Sequence, residues 1–183
     1  MKIAVIGGSL RRESLNLKLL GHLARCLTTL GARVRTVSGG ELRFALYDAD
    51  LPTPPPDAVA LHAVLADVQG LVIVSPEYNA GIPPHLKNAV DWISTMTPSP
   101  FKGLPVLLAS ASPGAFGGAR AQMQWRATLA NLGAVALPAG ITVPLADQNL
   151  AADGTPQEPR TVGEIDKALA AFLDFTARMG PRP

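Results

Sequence analysis

Short continuous apolar runs alternate along this chain with longer segments of helical spacing, the pattern of a parallel sheet covered by helices on both faces. The runs predict five strands: Ile3 to Ile6, Val34 to Val37, Leu71 to Val74, Val106 to Ala109, and a weaker one around Ala134 to Val143 whose limits Pro138 blurs. Between the first two, Leu15, Leu19, Leu23 and Leu27 stand four residues apart, and Gly31 closes this first helix as a left-handed cap candidate. The second helix, about Asp57 to Asp67, is weaker. Pro83 and Pro84 open the third, where a missing amide donor costs little; Leu86, Val90 and Ile93 form its buried stripe, and Lys87 and Asp91 pair on its exposed side. A fourth begins near Gly117 to Ala119 and runs to about Asn131, ending at Gly133. Thr161 and Glu164 predict a capping box ahead of Ile165, Leu169 and Phe172, hence a fifth helix from Thr161 to about Arg178. The resulting order is βαβαβαβαβα.

A chain of 183 residues, 48% hydrophobic, can bury the core of one domain, so residues 1–183 read as a single unit with a loose tail over 179–183. Sixteen basic residues against fourteen acidic leave a net charge of +2, too even to imply nucleic acid or a membrane surface as partner. The single cysteine, Cys26, excludes an intramolecular disulfide and a cysteine zinc cluster, and fits a reducing compartment, the cytoplasm. No apolar stretch approaches the roughly 20 residues of a membrane span, and the first run stops at Gly7-Gly8, short of a signal-peptide core. Two Pro/Gly-rich segments, Ser38 to Pro56 and Pro144 to Pro159, read as surface loops.

In open sheets of this kind ligands bind beyond the carboxyl ends of the strands, where strand order reverses. The loop after the first strand, Gly7 to Asn16, has the outline of an anion site. Small residues turn backbone amides inward, the helix N-terminus adds partial positive charge, and Ser9, Ser14 and Asn16 surround Arg11, a bidentate-capable cation. It lacks both the Gly-x-Gly-x-x-Gly and the Gly-Lys-Ser/Thr patterns, so a phosphate monoester suits it better than a pyrophosphate or a triphosphate. A plain polar helix cap is the alternative. After the third strand, Pro76, Glu77, Tyr78 and Asn79 hold an exposed aromatic among prolines and glycine, a rigid edge for reading a flat heterocycle or simply a structural Tyr-Asn turn. After the fourth, Ser112, Gly114 and Gly117 lie in a second small-residue loop, where amides at Gly117 and Gly118 can meet negative charge on a ring; Arg120 serves there or only in packing and salt bridging. His22, His62 and His85 lack metal-ligand spacing, and Cys26 falls within the first helix as a small buried side chain.

Together these three segments resemble the NADPH-dependent FMN reductase family of flavodoxin-like flavoproteins, which includes quinone, azo-dye and chromate reductases. The family pattern Gly-Ser-x-Arg-x-x-Ser-x-Asn matches Gly8, Ser9, Arg11, Ser14 and Asn16. Its Pro-Glu-Tyr-Asn and Leu-Lys-Asn-Ala-x-Asp-Trp match Pro76 to Asn79 and Leu86 to Trp92. The resemblance implies a doubly wound five-stranded parallel sheet in the order 2-1-3-4-5. It implies that Ser9, Arg11, Ser14 and Asn16 hold the FMN phosphate, that Pro76 to Asn79 line the isoalloxazine, and that Ser112, Gly114 and Gly117 complete the pocket. It further implies NADPH or NADH as transient hydride donor, ping-pong reduction of flavins, quinones or similar acceptors with no protein nucleophile, and a homodimer or homotetramer. Arg12 or another loop arginine is the candidate for attracting the NADPH phosphates. Gly81 and Pro84-His85 depart from the family's usual residues and bear on substrate preference. Two other classes remain in view: a flavodoxin-type electron carrier, whose strongly acidic surface is missing here, and a phosphate-ester hydrolase, for which the first loop offers no cysteine nucleophile.

Overall fold

A computed structural model describes residues 1–180. In chain order the elements are β1 (Lys2–Gly7), α1 (Leu15–Thr29), β2 (Arg33–Ser38), a 3-10 turn (Gly39–Leu42), α2 (Pro56–Asp67), β3 (Gly70–Val74) and α3 (Pro84–Ser94). There follow β4 (Pro105–Ala111), α4 (Ala119–Asn131), β5 (Val135–Ala136), β6 (Ile141–Val143), α5 (Ala146–Asn149) and α6 (Pro159–Met179). All strand pairs are parallel and run β2-β1-β3-β4-β5, with β6 also on β4. This is the flavodoxin-like order.

The strands alternate their side chains between two apolar layers. Ile3, Val5, Val72, Val74 and Leu107 pack with α1 and α6 through Leu19, Leu23, Leu27, Ile165, Leu169 and Phe172. Ala4, Ile6, Leu71, Ile73 and Leu108 face α2, α3 and α4 through Leu61, Leu65, Leu86, Ile93, Trp125 and Leu129. Burying a side chain of this size contributes about 1.5–3 kcal/mol, so the two layers together drive the fold. The chain leaves β1 for one face and β3 for the other, which places the switch point at their carboxyl ends.

Three expectations are corrected. The fifth strand is two pieces: β5 lies beside Pro105 and Val106, and β6 beside Ala109 to Ala111. Pro138, with no amide to donate, interrupts the edge, and the side chain of Gln122 replaces the missing ladder by donating Nε2 to the carbonyl of Ile141 at 2.8 Å and to Ser110 Oγ at 2.7 Å. The capping box at Thr161 does not form. α6 starts two residues earlier with Pro159 at its first position, Thr161 Oγ1 donates to Glu158, and Glu164 pairs with Arg160. The segment Pro144 to Pro159 is not a plain loop, since it contains α5 and a turn closed between Leu150 and Pro156. Gly31 does close α1, in the left-handed region at φ 87°. α6 runs through Met179, and residues 181–183 of the expected loose tail lie outside the described residues. Among the described residues no helix is long and apolar enough to cross a membrane.

Candidate functional site

The loop after β1 is tied down at both ends. Gly8 donates its amide to the carbonyl of Val74 at 2.9 Å, and a side chain there would meet Leu86 at 2.4 Å, so the loop passes against α3 with no room for a Cβ. Ser9 is buried, and its hydroxyl accepts from the amide of Arg11 at 3.4 Å. Ser14 is the N-cap of α1, accepting from Leu17 N at 3.2 Å, and the first turn carries no acidic residue. The cap and the anion site are therefore compatible: the Ser14 oxygen serves the helix while its hydrogen remains free to donate. Asn16 is buried and spans to β4, donating Nδ2 to the carbonyl of Ala111 at 2.8 Å while its Oδ1 accepts from Ala111 N at 2.9 Å. The Arg11 side chain is exposed and has no partner among the described residues.

The loop after β3 makes a two-residue hairpin. Tyr78 and Gly81 exchange backbone bonds of 3.0 and 2.9 Å, and Asn79 and Ala80 both sit in the left-handed region at φ 50° and 62°. Alanine has no side-chain oxygen to stabilise that conformation, and Gln124 of α4 holds it, donating to the Ala80 carbonyl at 3.1 Å and accepting from Ile82 N at 3.3 Å. Tyr78 remains 39% exposed, its ring 6.4 Å from that of His85. His85 is half-buried, its Nε2 enclosed without a hydrogen-bond partner.

Glu77 takes a role that the sequence reading assigned elsewhere. Its carboxylate accepts from the amides of Arg120 at 3.0 Å and Ala121 at 3.4 Å and pairs with the Arg120 guanidinium. The positive end of α4 is thus already matched to a protein carboxylate, and the salt-bridging alternative for Arg120 is the one formed. Burial pushes the Glu77 carboxyl up, but the Arg120 bonds and the Ala121 amide outweigh it and hold the group below the usual carboxylate range. In the third loop Ser112 Oγ accepts from Gly114 N at 3.1 Å. Gly117, at φ 57°, donates its amide to the Gly114 carbonyl at 3.2 Å and therefore shapes the turn.

A cleft of about 380 Å³, within the size range of small-molecule sites, joins the three loops. The first loop contributes Ser9, Arg11, Ser14 and Asn16; the second Pro76, Glu77 and Tyr78; the third Ser112 with Pro113. Asn79, Gly114 and Gly117 are outside its lining. Glu13 and Asp147 also line it, neither foreseen. For Glu13, position within the first loop was the available signal; Asp147 arrives on α5, from a segment that reads as surface. Cys26 and His22 lie together on α1, Sγ to Nε2 3.5 Å, and burial pushes the thiol up, so it stays protonated.

Glu13 pairs with Lys18 at 3.8 Å, and the groups left free to face a ligand at the α1 end are donors: the Arg11 guanidinium and the hydroxyl hydrogens of Ser9, Ser14 and Ser112. That set fits an acceptor-only phosphate, and Pro76 and Tyr78 offer an apolar wall for a flat ring. A doubly wound parallel sheet with a donor-lined cleft at its switch point has the layout of a flavodoxin-like cofactor-binding protein. Residues 1–148 match the NADPH-dependent FMN reductase family. The chain is 32% identical over 186 residues to a quinone reductase of Escherichia coli (strain K12), covering 98% of this chain and 97% of that one. It is 41% identical over 135 residues to a 2-hydroxy-1,4-benzoquinone reductase of Burkholderia sp, covering 72% of each. Its fold is similar to that of FerB, a flavoenzyme NAD(P)H:(acceptor) oxidoreductase from Paracoccus denitrificans, with a TM-score of 0.84 at 27% identity, covering 98% of this chain and 99% of that one. The chain belongs to the NADPH-dependent FMN reductase family and is an oxidoreductase with FMN as cofactor and NAD(P)H as reductant.

Proposed function

We propose that this enzyme reduces quinones and similar small diffusible acceptors, with Ser9, Arg11 and Ser14 gripping the FMN phosphate at the N-terminus of α1. The observation that carries this reading is the set of free donors at that end of the cleft, where the one carboxylate of the loop, Glu13, pairs with Lys18 at 3.8 Å and the α1 first turn carries no acidic residue. FMN held there would supply the redox chemistry that links NAD(P)H to the acceptor. Asn16 ties the phosphate loop to β4 through Ala111, so that anion end and ring end keep a fixed separation. Pro76 and Tyr78 give the ring its wall. Glu77 braces that wall against α4 through Arg120, and Asn79 forms the hairpin that presents Tyr78. Ser112 adds a hydroxyl donor, while Gly114 and Gly117 turn its loop.

Donor and acceptor use the same opening beside Tyr78 in alternation, a ping-pong scheme, in keeping with the single dinucleotide-type fold that the described residues form. The choice of quinones rests on the named activities of the Escherichia coli and Burkholderia relatives. A visible spectrum of the purified protein, followed anaerobically, tests the reading. Flavin absorbance that bleaches promptly on adding NADPH and returns on adding benzoquinone is the expected result, with parallel double-reciprocal plots in steady state. Bound flavin that neither NADPH nor NADH bleaches would identify an electron carrier instead.

A further inference from the structure

Asp147 lines the same cleft as Arg11 and Ser14, yet its carboxylate has no hydrogen-bond or ion-pair partner among the described residues. Its placement is built rather than incidental. Ala146 donates its amide to the Ser112 carbonyl at 3.0 Å, Ser112 donates to Val143 at 3.1 Å, and Leu145 donates to Gly114 at 3.4 Å, so the start of α5 is stitched to the loop after β4. Asn149 Nδ2 closes the same turn on the Pro144 carbonyl at 3.0 Å. Leu145 is held in the left-handed region at φ 48°, a strained conformation for a residue with a Cβ. Close approach is also required on the facing strand of backbone, where a Cβ on Gly117 would stand 3.0 Å from Pro144 N.

A carboxylate only accepts hydrogen bonds, so Asp147 cannot bond to a phosphate dianion and must find a donor elsewhere in whatever fills the cleft. The unpaired side chains at the phosphate end are donors themselves, and Glu13 there is already paired with Lys18. The segment of FMN that joins its phosphate to its ring carries hydroxyls, which donate. We propose that Asp147 is a binding residue for the hydroxyl-bearing chain of FMN, accepting its hydrogen bonds and fixing how the cofactor extends from the α1 end toward the Tyr78 wall. The proposal rests on the FMN reading of this cleft and adds to it a residue outside the three loops.

The test titrates the flavin-free full chain with FMN and with a flavin phosphate whose chain hydroxyls are replaced by hydrogen, following flavin fluorescence. Asp147→Ala should weaken FMN about tenfold, the loss of one charge-assisted hydrogen bond, and Asp147→Asn, which keeps a carbonyl acceptor, about threefold. Toward the hydroxyl-free flavin, both variants should match the wild type, and their thermal unfolding should be unchanged. Simple repulsion between carboxylate and phosphate requires the opposite sign. An Asp147→Ala protein that binds FMN as well as or better than wild type therefore overturns the proposal, as does an equal loss with both flavins. Wild-type protein that fails to bind FMN would overturn the FMN reading itself, and this proposal with it.

Discussion

Arg11, in the loop after β1, and Asn16, in the first turn of α1, stand five positions apart and do different work. The Arg11 guanidinium makes no hydrogen bond or ion pair among the described residues, whereas both ends of the Asn16 amide are committed to Ala111. Arg11→Ala should therefore weaken FMN binding about 10- to 100-fold, the range for lost charge-assisted bonds, while leaving the melting temperature of the flavin-free protein in place. Fluorescence titration and calorimetry on the same sample check both halves, and unchanged FMN affinity would count against the phosphate assignment. Asn16→Ala strands a buried amide and a buried carbonyl on β4, so it should destabilise the flavin-free protein by about 2–4 kcal/mol, read from urea unfolding. An affinity loss in that variant is then a consequence of a loosened loop, distinguishable from Arg11 by its stability.

At the scale of elements, the cleft depends on how the segment after β6 docks. Gly154 sits at φ 86°, and a Cβ there would fall 1.9 Å from the carbonyl oxygen of Lys18 in α1, a clash with backbone that no rotamer relieves. Gly154→Ala should cost about 3 kcal/mol and lower the melting temperature by roughly 6–12 °C in a scanning calorimeter. Arg25 reinforces the same contact from α1, reaching the Asp153 carbonyl at 2.9 Å, but its exposed ion pair adds little beside the close approach. Glu77 is the corresponding brace on the other side. Glu77→Ala removes the acceptor for two α4 amides and the partner of Arg120, and should cost about 1–2 kcal/mol by urea titration, as loss of a helix cap does.

For the whole molecule, burial sets the acid limit. His22 and His85 are both held below the ordinary value of 6.5, His22 by burial and then Arg25, His85 by burial and then Arg43 against an opposing bond with Gly8. The unfolded chain binds these protons at higher pH than the folded one, so their contribution to stability is complete above 6.5 and is lost as pH falls from there toward the lowered folded values. Glu77, lowered instead from 4.5, contributes above that value and fails only as pH drops through its own depressed one. Melting temperature should thus decline in two steps on acidification, and His22→Gln with His85→Gln should flatten the first step while leaving the second. Apolar periodicity and turn chemistry are local, which is why β1 to β4, the stripes of α1 and α3, and the three loops of the cleft were legible in the residues themselves. The split edge strand, Gln122 in its gap, the Asn16 clamp 95 residues away on Ala111, and the Glu77 cap of α4 from 43 residues away were not. Those partners are chosen by which groups packing leaves buried and unpaired, and Asp147 reaches the cleft for the same reason: a strained turn is held in place by backbone bonds that only the assembled sheet can offer.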